Sequence, residues 1–225
     1  MAEENGQKIA MRYFLTGAVA VGKSTAAAFF RSLQTHDEWL EPRESGMEKD
    51  PALIDDPVRI TKIDNWVADQ VAKKNVILAN VSSGLHIVDR APLDAFAFTK
   101  EADWTSKAEL LRRAVTPGKA TSRKLCPGHV ILLLGDPEVM AVRAIAKHKS
   151  TDSSKLKKQQ DLLNIVYGCR GFGVTVVDTR DKNSFRVAKE IANIIHCKPY
   201  QEADIDGWLR GIAVSQIVAA AQPKI

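Results

Sequence analysis

The chain has 225 residues, of which 45% are hydrophobic and 26% charged, an ordinary composition for a protein long enough to bury a real core. Its net charge of +5 and pI of about 9.1 suit anionic ligands without requiring nucleic acid. Cys126, Cys169 and Cys197 are odd in number and widely spaced, which speaks against a disulfide framework or a zinc site and for packing residues in a reducing cytoplasm. The polar, acidic first ten residues do not read as a signal peptide, and no apolar run approaches a membrane span.

Residues 11–16 are apolar and aromatic and stop at Gly17, which predicts a buried strand. Residues 23–34 then place Ala26, Ala27, Phe29, Phe30 and Leu33 along one side of a helix. A short second strand is expected at Glu38–Leu40, closed by Pro42, and a loop follows through residues 43–57. Helical spacing returns over 58–80 with a break expected near Asn75, and Leu85–Val88 reads as a third strand ending in Asp89. Ala91–Val115 is helical in composition, as two helices meeting near Asp103, and residues 116–128 form an exposed connection. Val130–Leu134 is a buried strand, and Asp136-Pro137-Glu138 opens a helix with Pro and acids in its first turn. The last strand is Val174–Val177, ending in Asp178, and Asn183-Ser184 opens a helix through Ile195.

Five short apolar strands separated mainly by helices imply an α/β doubly wound parallel sheet with helices on both faces. Residues 1–10 read as a flexible tail and 11–225 as one domain. An amphipathic helix at 202–221 is expected to pack on the domain or at a subunit interface, which admits a homodimer.

Residues 17–25 carry the chemistry. Gly17-Ala18-Val19-Ala20-Val21-Gly22-Lys23-Ser24-Thr25 matches G-x-x-x-x-G-K-[ST], the P-loop. Its glycines let backbone N–H groups curl around an anion, and the strand before and helix after are where that loop belongs. Lys23 is expected to reach the β- and γ-phosphates of ATP, and Ser24 to ligate Mg2+. At the end of the third strand, Asp89-Arg90-Ala91-Pro92-Leu93-Asp94 puts an acid and an arginine at the carboxyl edge of the sheet, where ligands of doubly wound domains bind. Asp89 is a second candidate for magnesium, and the planar fork of Arg90 suits a phosphate or the acceptor.

On these segments the chain resembles the P-loop nucleoside and nucleotide kinases, most of all the deoxynucleoside kinase and thymidylate kinase group, which carries an acid-Arg motif after its third strand. Trp39-Leu40-Glu41-Pro42 resembles the Glu-Pro that ends the second strand of deoxynucleoside kinases, and the resemblance makes Glu41 the base that takes the proton of the acceptor hydroxyl. Gln70 lies in the segment where that group carries its base-reading glutamine. The resemblance also implies a lid near residues 143–158, in which Arg143 would act on the transferring group and Lys147 on the donor phosphates; from its residues alone the basic stretch Arg143 to Lys158 reads equally as an ordinary solvated helix face. Here that lid is rich in lysine, which lacks arginine's bidentate fork. Asp178-Thr179-Arg180-Asp181 falls where related kinases place adenine.

Thr61-Lys62-Ile63-Asp64 imitates the guanine-reading motif of GTPases, but it precedes Asp89 within a helix instead of following a later strand. The expected activity is therefore ATP-dependent transfer of the γ-phosphoryl group to a small acceptor, a nucleoside, deoxynucleoside or nucleoside monophosphate. A nucleotide-binding regulator or ATPase without efficient transfer, and a kinase for a non-nucleotide metabolite, are the alternatives. No membrane or nucleic-acid partner is expected.

Overall fold

The computed structural model describes residues 10–31, 34–36, 56–116, 124–147, 151–168 and 173–212. Five strands are assigned: β1 (Ala10–Gly17), β2 (Gln34–His36), β3 (Gly84–Asp89), β4 (His129–Leu134) and β5 (Val174–Asp178). All pair in parallel, in the order β2-β3-β1-β4-β5. The four longer strands form the body of the sheet, and the three-residue β2 extends one edge.

Alternation of side chains across the strands divides the core into two layers. Phe14, Val88, Val130 and Leu132 pack toward α2 (Pro57–Ala79), α3 (Trp104–Val115) and a last helix at residues 205–212. Tyr13, Leu15, Ile87, Ile131, Leu133 and Val177 pack on the opposite face toward α1 (Lys23–Ala28), α4 (Pro137–Ile145) and α6 (Ser184–Cys197). Leu156 of α5 (Ser153–Leu163) belongs to the second layer and Leu162 and Leu163 to the first, so this helix touches both.

Helix starts follow their local chemistry. Asp136 accepts from the N–H groups of Glu138 and Val139 at the head of α4, and Asn183 from that of Arg186 at the head of α6. Helix α1, expected to run to residue 34, stops at Ala28, because Gln34–His36 is drawn into pairing with His86–Val88 of β3. The second strand thus lies before its expected position at residues 38–40, which, like Glu41, are outside the described residues.

Helix α2 shows no break at Asn75, which is buried and works sideways. Its Oδ1 accepts from Cys126 N–H at 2.7 Å and its Nδ2 donates to Lys124 O at 3.0 Å, clamping the chain that leads into β4. Asn75→Leu should leave both backbone groups without these partners and cost about 1–3 kcal/mol, measured by chemical denaturation. Between Asp94 and Asp103 two short 3-10 turns replace the expected first helix. Of the described cysteines, Cys126 is buried as expected, whereas Cys197 at the end of α6 is exposed.

Candidate functional site

Gly17 ends β1 at the carboxyl edge of the sheet with φ of 149°. A Cβ there would lie 2.6 Å from Leu133 O and 2.9 Å from Val21 Cγ1, so the position excludes a side chain by space as well as by backbone angle. At Gly22 a Cβ would meet nothing within 4 Å, and glycine is needed there for its φ of 110° alone. Between them Ala20 takes the left-handed conformation, with φ of 62°, at a cost in strain. These three positive angles fall within six residues and bend the chain between β1 and α1.

Lys23 is buried, and its Nζ donates to Gly17 O at 2.8 Å and Ala18 O at 3.0 Å, which holds the ammonium inside its own loop. Ser24 and Thr25 are exposed at the head of α1. Val19 N–H donates to Oε1 of Gln159 in α5 at 3.3 Å, so a phosphate seated in the loop would compete for that amide. The next residue, Gln160, is buried and binds both backbone groups of Gly135 at the end of β4, through 2.7 and 3.1 Å bonds.

Strands β1 and β3 are hydrogen-bonded neighbours, and their register sets Leu15 beside Asp89. Asp89 therefore lies directly against the strand that carries the loop. By alternation it follows Ile87 to the α1 face. Asp89 is buried and its Oδ1 has no hydrogen-bond partner, a condition that costs free energy and fits a cation held jointly with Ser24. Arg90 has a φ of 72°, donates its backbone N–H to Leu15 O, and sets its guanidinium 5.8 Å from the centre of the Phe98 ring.

Asp94 is the acid whose role the sequence did not assign. Its Oδ1 accepts from Thr16 Oγ1 at 2.6 Å and from Tyr167 OH at 3.2 Å, while Tyr167 OH accepts from Leu93 N–H at 2.8 Å. Tyr167 belongs to a π-helical turn, Asn164–Gly168, that continues α5. Burial pushes the Asp94 carboxyl up to about 6, against the opposing fields of Arg90 and Lys23 and the bonds from Thr16 and Tyr167. Because the folded value exceeds the ordinary 3.8, this contribution to stability is present below about pH 4 and is lost as pH rises through about 6. Asp94→Asn should flatten that limb, on the order of 3 kcal/mol, in thermal midpoints measured from about pH 4 to 7.

The other expected residues are more dispersed. Arg143 and Lys147 are exposed near the end of α4, and the described contact from this region to the loop is made by Gln159 instead. Gln70 is half-buried and donates weakly to Asp69. Asp64 of the GTPase-like tetrapeptide pairs with Lys107 of α3 at 2.9 Å, which ties two helices together. Trp104 is buried against Phe96, whereas Phe98 is exposed. Asp178, held down to about 2 by Arg180, ends β5 half-buried, and Thr179 Oγ1 approaches the place of a Gly135 Cβ to 3.1 Å. Spacing offered a signal for α5 and its π turn: Leu156, Gln160, Leu163 and Tyr167 recur on one helical face.

The sheet order and the loop after β1 are those of a P-loop kinase-like α/β fold. Among solved structures the chain is similar to deoxyadenosine kinase from M. mycoides with the products dCMP and a flexible dCDP bound, at a TM-score of 0.62 and 17% identity, covering 83% of this chain and 100% of that one. With dATP bound, the same enzyme gives a TM-score of 0.59 at 17% identity over 82% of this chain and 99% of the other. No family model matches the sequence, and neither does any curated protein. Among the described residues no helix is long and apolar enough to cross a membrane.

Proposed function

We propose that the chain catalyses ATP-dependent transfer of a γ-phosphoryl group to a small acceptor, in first place a nucleoside or deoxynucleoside and next a nucleoside monophosphate. The observation that carries this reading is the adjacency of the Gly17–Thr25 loop and the Asp89-Arg90 turn, which end neighbouring strands at one edge of the sheet. A phosphate-binding loop alone serves switches and motors equally well. An arginine beside it supplies charge for a group in transit.

The loop amides and Lys23 bind the donor phosphates, with Lys23 exchanging its loop carbonyls for phosphate oxygens. Ser24 and Asp89 have the oxygen donors to hold a magnesium ion, which neutralises charge on bridging phosphate oxygens when bound. Arg90 approaches the transferring group from the β3 side. Glu41, placed by resemblance, takes the proton of the acceptor hydroxyl. The exposed stretch around Arg143 and Lys147 closes over the donor and excludes water, which otherwise competes as acceptor.

The test is incubation of the chain with ATP and Mg2+ against a panel of nucleosides, deoxynucleosides and monophosphates, with product separated by chromatography. A phosphorylated nucleoside or nucleotide is the expected result. Tight ATP binding with no product across the panel sinks the reading, and product only from an added non-nucleotide alcohol would reassign the acceptor. Glu41→Gln with normal turnover removes the base assignment alone.

A further inference from the structure

We propose that Gln159 of α5 sets the affinity of the donor site by competing with a phosphate oxygen for the Val19 N–H of the loop; this rests on the phosphate-binding part of the reading above. The Val19 N–H donates to Gln159 Oε1 at 3.3 Å, across 140 residues of sequence. Val21 N–H, two residues on, is held from within the loop by Ala18 O at 3.4 Å, whereas the Val19 amide is claimed by a side chain of another element. A loop of this pattern binds phosphate through its backbone N–H groups, so an amide already bonded to a side chain must change partner when a phosphate oxygen arrives.

Two neighbouring glutamines take different parts at this point of α5. Gln160 is 8% exposed and bonds both backbone groups of Gly135 at 2.7 and 3.1 Å, and Leu156 and Leu163, on either side of the pair, are buried in the core. The helix backbone is therefore fixed over residues 156–163 and cannot draw away from the loop without breaking those contacts. The Gln159 side chain is only half-buried, and its bond is longer than either bond of Gln160. It can rotate toward solvent, where water replaces the loop N–H. A neutral amide oxygen loses that N–H to a phosphate oxygen, whose bonds are charge-assisted. The exchange costs the donor the net worth of one hydrogen bond, which lowers affinity without closing the site.

The experiment measures ATP and ADP binding, with Mg2+ present, by titration calorimetry on the wild type and two variants. Gln159→Ala removes the competitor and should bind both nucleotides about two- to tenfold tighter, the worth of one hydrogen bond between neutral groups. Gln159→Glu keeps an acceptor for the Val19 N–H and adds a negative charge. It should bind both nucleotides more than ~threefold weaker than the wild type, with the gap narrowing as salt rises. Equal affinity in a folded Gln159→Ala variant overturns the proposal while the phosphate-loop reading stands. Weaker binding by that variant overturns it too, and makes the contact a prop for the loop. Should Gln159→Ala not fold, Gln159→Glu decides alone, and binding as tight as the wild type's overturns the proposal. No binding of either nucleotide by the wild type removes the phosphate-loop reading and this one together.

Discussion

Lys23→Ala should lower phosphoryl transfer by about 10²–10³-fold, or roughly 3–4 kcal/mol of transition-state stabilisation, with little loss of fold. The Lys23 ammonium donates to Gly17 O and Ala18 O. Those two bonds are made in exchange for the burial of a charge, so removing the side chain changes stability by little. On the reaction path the balance differs. A phosphoryl group in transit spreads negative charge over its oxygens, and water cannot replace a cation already fixed inside the loop. Single-turnover rates with a saturating acceptor, alongside thermal denaturation, separate the two effects. Undiminished transfer in a folded variant would remove Lys23 from the site.

Asp89→Asn should raise the Mg2+ concentration for half-maximal rate and lower transfer by about 10²-fold. The same substitution should leave stability equal or improved. Asp89 buries an oxygen that accepts no hydrogen bond, at the end of β3 beside Leu15, which is a cost to the fold. Such opposed effects mark a residue kept for function at a cost to the fold. A magnesium titration of rate together with the thermal midpoint reads both. A loss of stability with no change in magnesium dependence would make Asp89 a structural acid.

The local geometry around Lys23 was legible without coordinates for a simple reason. Gly17, Gly22 and Lys23 lie within a few residues of one another, and the backbone angles they impose are local. The same holds for Asp136 and Asn183, which cap helices two or three residues downstream. Apolar runs such as Val130–Leu134 announce buried strands because both their faces are covered. Element type and much of the backbone of the Gly17–Gly22 loop therefore follow from neighbours in the chain.

Register and partnership do not. Residues 29–34 have helical apolar spacing, yet pairing of Gln34–His36 with β3 ends the helix early, a choice made by a strand some fifty residues away. Asn75 looks like a helix breaker by type and is a clamp by position, because its amide meets a backbone 51 residues on. Asp94 was in view as the last residue of the acid-Arg segment, but its anchor Tyr167 is 73 residues distant. Gln159, which occupies a loop amide, is 140 residues from its partner.

What the sequence determined by itself is the loop pattern of Gly17–Thr25 and the Asp89-Arg90 pair at a strand end, together with a parallel α/β sheet to carry them. Only the tertiary structure decided that the two segments end adjacent strands, that α5 reaches the loop, and that Asp94 lies buried against Thr16 and Tyr167. The physical reason is the same throughout. Short-range backbone geometry and hydrophobic periodicity are written in consecutive residues, whereas the burial of a charge and the partner that steadies it exist only once distant segments have packed.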